Sequence, residues 1–129
     1  MNGDAVLLLL LLFTVGRARR MQRLNVAQLR ELALMAGFLG SAADIAAAVA
    51  MAESGGDPAA EGDLTLGVSR GLWQINMRAH PEFDPIRLFE QDYNARAAFL
   101  VSSHGTNWKP WTTFKTGAYR KYLPAGSNA

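Results

Sequence analysis

Seven of the twelve residues from Ser41 to Ala52 are alanine, with Ile45, Val49 and Met51 between them. Alanine is the strongest helix former, and small side chains all round let neighbouring elements come close. The stretch therefore predicts a helix buried at the centre of a domain rather than lying on its surface. Ser41 is its expected N-cap, Asp44 three residues on makes an approximate capping box, and Gly55, Gly56 and Pro58 stop it.

The flanking segments suit a mainly helical shell. Asn25 is the expected N-cap of a helix through Ala36, with Leu29, Leu32 and Ala33 on one face and Gly37 ending it. Residues 57–76 are rich in Gly, Asp, Ser and Thr and predict a loop or small β-ribbon. Asp84–Pro85 predicts the N-cap and first position of a short helical turn. Asp92 is the expected cap of a helix through Ser102 that Gly105 ends, and Lys109–Pro110 opens a last aromatic segment reaching Tyr122. At 129 residues the chain is one domain's worth. The expected division is an N-terminal segment at 1–23, a single compact domain at 24–123 and a short tail at 124–129.

Cysteine is absent and only His80 and His104 are histidines. That removes thiol nucleophiles and disulfides and leaves too few ligands for a dedicated zinc site, so no metal and no cofactor is expected. The net charge of +2 resides in residues 1–23, where Arg17, Arg19, Arg20 and Arg23 face only Asp4. The remainder carries nine bases against ten acids, and nucleic acid is not an expected partner.

Residues 5–15 form an apolar run with six consecutive leucines from Leu7 to Leu12. Eleven residues are shorter than the roughly 20 that a membrane-crossing helix needs. Asp4 precedes the run and the arginines follow it, the reverse of an export signal. Two readings stay open: an apolar helix docked into an assembly or onto the domain, and a membrane contact through residues 1–23.

Glu53 ends the apolar helix. Desolvation raises a carboxyl pKa, and the negative end of the helix dipole raises it further. A carboxyl that keeps its proton near neutral pH is what a general acid needs when a sugar oxygen must leave. The plain alternative is a solvated residue opening a loop.

The string Ala50-Met51-Ala52-Glu53-Ser54-Gly55-Gly56-Asp57-Pro58-Ala59-Ala60 resembles the catalytic-glutamate motif of soluble lytic transglycosylases and goose-type lysozymes. Arg70-Gly71-Leu72-Trp73-Gln74-Ile75-Asn76 is similar to their second motif. The segment from Trp108 to Tyr119 is similar to the third motif of the phage-tail and actinobacterial branch, and Tyr93–Ala98 fits the helix between. The resemblance covers about residues 24–123 and implies a lysozyme-like α+β fold, mainly α, acting on the glycan strands of peptidoglycan. It implies Glu53 as the acid that protonates the oxygen between N-acetylmuramic acid and N-acetylglucosamine, with Ser54 bonding near the carboxyl. Gln74 and Asn76 would line the cleft. Trp73, Trp108 and Trp111 are candidates for subsite walls, with core packing the plain alternative for the last two. Many relatives carry a tyrosine near Phe114 that orients the glutamate; Phe114 has no hydroxyl, which leaves two readings, Tyr119 as the substitute or an orienting role that is missing here.

Most glycosidases use two carboxylates about 5 to 10 Å apart. Asp57 suits a turn before Pro58, and Glu61 and Asp63 flank Gly62 in an expected loop. The sequence thus favours a lytic transglycosylase with Glu53 alone as acid and then base. A hydrolytic lysozyme using Asp63 or Glu61 is the alternative, and a non-catalytic virion or membrane-associated module is a third reading. The expected setting is a phage tail acting on the bacterial wall, with residues 1–23 docking to other tail proteins. A membrane-anchored bacterial protein is the alternative.

Overall fold

The computed structural model describes residues 22–62 and 65–127. The apolar run expected at 5–15, with whatever assembly or membrane contact it makes, lies outside them, as does Asp63. No helix among the described residues is long and apolar enough to cross a membrane.

The fold is mainly helical with one small antiparallel sheet, an α+β lysozyme-like arrangement. Helix α1 (Val26–Ala36) starts on a full capping box: the Asn25 side chain accepts from the Gln28 N–H at 2.8 Å, and the Gln28 side chain accepts from the Asn25 N–H at 2.9 Å. Gly37, at φ 120°, closes it by donating to the Ala33 and Leu34 carbonyls. Leu29 and Ala33 are the residues that α1 buries, and its neighbours are the helices at Ser41–Ser54 and Gln91–Val101.

Helix α2 (Ser41–Ser54) is the alanine-rich segment, and it is the centre of the molecule. Ala43, Ala46, Ala47, Ala48, Val49 and Ala50 are all fully buried. Its start differs from expectation. Gly40, at φ 53°, is the N-cap, Ser41 is already helical, and no side chain caps the helix. Asp44 accordingly makes no capping box; it accepts from Arg30 Nε at 2.7 Å and ties α2 to α1.

Strands β1 (Glu61–Gly62), β2 (Ser69–Arg70) and β3 (Ile75–Asn76) form the β-ribbon expected at 57–76, in the order β1-β2-β3 and antiparallel throughout. Asp84 Oδ1 accepts from the Ile86 and Arg87 N–H groups and opens a 3₁₀ turn at Arg87–Phe89. Helix α3 (Gln91–Val101) follows with Glu90, not Asp92, at the N-cap position. Asp92 sits inside the first turn and pairs loosely with Arg96 at 3.9 Å.

Helix α4 (Thr112–Thr116) and a 3₁₀ segment at Ala118–Tyr122 close the chain back onto α2. Aromatic rings fill the seam. Phe38 stacks on Trp108 with centroids 5.5 Å apart, Trp108 meets Trp111 at 5.2 Å, and Phe114 stacks on Tyr119 at 4.8 Å. Edge and offset contacts of this kind add about 0.5–1.5 kcal/mol per pair beyond the area they bury.

Candidate active site

Glu53 stands on the last turn of α2, and the turn after it is shaped by what covers it. Gly55 and Gly56 have φ of 63° and 81°, a region that side chains rarely adopt. The chain at Arg23–Leu24 lies directly over them. The Leu24 N–H donates to the Gly56 carbonyl at 2.8 Å, and a Cβ on Gly56 would run into the Leu24 backbone. Arg23 Nη1 donates to the Ser54 and Gly55 carbonyls at 3.2 and 3.4 Å, placing a cation on the carbonyl end of the helix. The Glu-Ser-Gly-Gly string is thus a helix end with a strand of chain pressed on it.

The Glu53 carboxyl faces α4. Thr113 Oγ1 donates to Glu53 Oε2 at 2.7 Å. Burial raises the Glu53 pKa above the ordinary carboxyl value of 4.5, against the opposing pull of the Thr113 hydroxyl and backbone N–H. Desolvation outweighs the two hydrogen bonds because a half-buried carboxylate loses water on most sides and regains donors from one residue only. The threonine hydroxyl suits either protonation state, since it donates to a carboxylate and accepts from a carboxylic acid.

The second motif is built as a brace for this pair. Trp73 is fully buried, and its Nε1 donates to the Ala46 carbonyl on α2 at 2.9 Å. Trp111 Nε1 donates in turn to the Trp73 carbonyl at 2.8 Å. Trp111 is the residue before α4, two positions from Thr113, so α2, the second motif and α4 are locked in a chain of buried bonds that ends at the carboxyl. Asn94 of α3 completes it. It has no exposed surface; its Oδ1 accepts from the Trp73 N–H at 2.8 Å, and its Nδ2 donates to the Arg70 and Leu88 carbonyls at 2.9 and 2.8 Å. Gly71, at φ 81°, is obligatory here, because a Cβ would meet Asn94 Nδ2 and the Leu88 carbonyl.

Other residues expected at the site hold its scaffold. Ser54 Oγ does not reach the carboxyl; it donates to the Ala50 carbonyl at 2.9 Å and accepts from the Gly56 N–H at 3.2 Å, as a serine in a last turn readily does. Gln74, at φ 48°, donates through Nε2 to the Ala60 and Gly71 carbonyls, both at 3.0 Å, and so ties the start of β1 to the second motif. Asn76 organises the loop beyond: its Nδ2 donates to the Leu66 and Gly67 carbonyls, and its Oδ1 accepts from the Arg78 and Ala79 N–H groups at 3.0 Å. Trp108 and Trp111 are core residues, 5% and 4% exposed, and the buried Trp73 ring has no surface to offer a sugar. Tyr119 packs on Phe114 in the core, and it is Thr113, one residue before Phe114, that bonds the glutamate.

Of the other acids, Asp57 makes the expected turn by accepting from the Ala59 N–H at 2.9 Å. Glu61 is exposed on β1 and pairs with Arg70, its partner in register on β2, at 3.4 Å. Arg70 also donates to the Pro85 carbonyl and lies over the Phe89 ring, so Glu61 leans on the sheet's anchor.

The model of a family described as a lysozyme-like domain matches residues 30–113, well over half of the chain. The chain belongs to the lysozyme-like domain family. The matched span runs from α1 to Thr113 and contains Glu53, the sheet and all of α3. No curated protein and no solved structure matches this lysozyme-like domain. Membership supports a peptidoglycan-acting enzyme in the broad sense.

Proposed function

We propose that the protein is a lytic transglycosylase that cleaves the β-1,4 bond between N-acetylmuramic acid and N-acetylglucosamine, with Glu53 as the one acid/base. The observation that carries this reading is the bond from Thr113 Oγ1 to a Glu53 carboxyl whose pKa burial holds high. Family membership supports the substrate class.

Glu53 in its protonated form donates to the glycosidic oxygen, and the C1–oxygen bond of the muramyl residue breaks. The 2-acetamido carbonyl of that same sugar takes up the positive charge at C1. Glu53, now a carboxylate held by Thr113, accepts the proton of the muramyl 6-hydroxyl as that oxygen closes on C1. The product is a 1,6-anhydro end, no water is consumed, and the acid is restored. General acid–base assistance of this kind is worth about 10²–10⁴-fold in rate. Glu61, drawn into its pair with Arg70, supports the route without a second carboxylate.

Mass spectrometry of muropeptides released from purified peptidoglycan by the full chain tests the reading. Anhydro ends are the expected product. Reducing ends would overturn it in favour of a hydrolase with Asp63 or Glu61 as the water-activating base, and a sample that releases nothing would favour a non-catalytic module.

A further inference from the structure

Glu53 is the last residue but one of α2, in the turn where a helix frays most readily because its final carbonyls have no partner within the helix. Gly55 and Gly56 follow with positive φ, and glycine by itself does little to hold one backbone conformation. Helix α2 also has no basic residue in its last turn to neutralise the carbonyl end. What the helix lacks is supplied by the two residues just ahead of Asn25. Arg23 Nη1 is shared between the Ser54 carbonyl at 3.2 Å and the Gly55 carbonyl at 3.4 Å. The Leu24 N–H takes the Gly56 carbonyl at 2.8 Å. Both glycines are shaped to this clasp: a Cβ on Gly55 would run into the Arg23 guanidinium, as one on Gly56 would into the Leu24 backbone. Among the described residues Arg23 forms no ion pair, with Glu53 or any other acid, and its side-chain hydrogen bonds go to these two carbonyls.

We propose that Arg23 is a positioning residue for Glu53: by clamping the turn that follows, it keeps the end of α2 wound and holds the carboxyl at the Thr113 hydroxyl. The inference rests on the reading of Glu53 as the acid, given above. It adds a residue outside the span that the family model matches, since that span begins at residue 30. The side-chain bond of the Glu53 carboxyl is to Thr113, so its place depends on α4 and on the last turn of α2. Helix α4 is anchored by the buried bonds from Trp111 to Trp73 and from Trp73 to Ala46. The last turn of α2 has no such anchor of its own, and the effect of Arg23 passes to Glu53 through the backbone. A misplacement of about 1 Å at a reacting group can cost about 10²-fold in rate. A clamp that prevents part of such a movement is therefore worth roughly 10-fold.

The test compares Arg23→Gln, Arg23→Lys and Arg30→Gln, each in the full chain, on purified peptidoglycan. Arg23 is exposed, so replacing it opens no cavity and the variants should fold. Arg30 is the control, because it ties the opposite end of the same helix to α1 through Asp44 at 2.7 Å. Arg23→Gln should lower kcat about 10-fold with KM within about 2-fold of the parent. Arg23→Lys keeps a cation with donors and should recover most of the loss, and Arg30→Gln should keep the parental kcat. A second readout needs no substrate. The Gly55 and Gly56 amides, which donate to the Met51 carbonyl and the Ser54 hydroxyl, should exchange hydrogen faster in Arg23→Gln while those of α3 do not. The carbon NMR signal of the Glu53 carboxyl should move with them. Either a parental kcat or parental exchange at both glycines in Arg23→Gln overturns the proposal. An equal fall of kcat in Arg30→Gln overturns it in favour of a general loss of stability, and a rise in KM alone overturns it in favour of a substrate contact. A parent protein that releases nothing from peptidoglycan, while the glycine amides and the carboxyl signal respond to Arg23→Gln, would instead count against the wall-acting reading and leave the clamp standing.

Discussion

The hydroxyl of Thr113 lies 2.7 Å from Oε2 of Glu53, joining residues sixty positions apart in the chain. Helix α2 carries the glutamate, Asn94 of α3 holds the second motif, that motif accepts a bond from Trp111 just before α4, and α4 delivers the threonine. Bonds from Trp73 to Ala46 and from Trp111 to Trp73 fix the two ends relative to each other.

Thr113→Val removes the hydroxyl but keeps the volume and the backbone N–H. The lost bond favours the ionised carboxyl, so Glu53 should hold its proton to higher pH. The basic limb of the pH profile of kcat/KM then moves upward while the maximum rate falls, by roughly 10- to 100-fold for one charge-assisted bond of about 1.5–3 kcal/mol. Thr113→Ser should restore both. A purely structural threonine would lower the rate without moving the limb.

Burial of Glu53 also predicts how stability depends on pH. Its folded-state pKa is raised, so the protonated form is the one the fold favours. The contribution to stability is complete below the unfolded value near 4.5 and is lost as pH rises through the folded value. Glu53→Gln cannot ionise. Its melting temperature relative to the parent should therefore rise between pH 4 and pH 8, with the variant the more stable at the upper end. A difference in Tm independent of pH contradicts this.

Asn94→Ala leaves the Trp73 N–H and the Arg70 and Leu88 carbonyls without their partner in a buried setting. At about 1–3 kcal/mol for each buried group left unpaired, and with some relief from water entry, the loss should be about 3 kcal/mol or more. Urea denaturation measures it. A loss under about 1 kcal/mol, within the ordinary range for one net hydrogen bond, would show that the brace carries little.

Much of this arrangement is legible in the sequence where the determinants are local. Asn25 and Gly37 bound α1 because capping chemistry acts within four residues, and the alanine content of α2 announces a helix that must be enclosed. The glutamate at its end is legible for the same reason. Thr113 is not, because a threonine beside Thr112 carries no mark of a partner sixty residues upstream. Asn94 left a signal that was open to use: it shares a helix face with Ala97 and Ala98, and a lone amide on a buried small-residue stripe must satisfy backbone groups. Ser54 and Asp44 misled by proximity. Each has a nearer or better partner than the one its spacing suggested, the Ala50 carbonyl for the first and Arg30 for the second.

The most direct test of the central claim is the turnover of purified peptidoglycan by Glu53→Gln, with circular dichroism to confirm that the fold is kept. Loss of the acid predicts a fall of about 10²–10⁴-fold in rate, the range that general acid–base catalysis supplies. A folded Glu53→Gln protein that releases muropeptides at the parental rate would contradict the account.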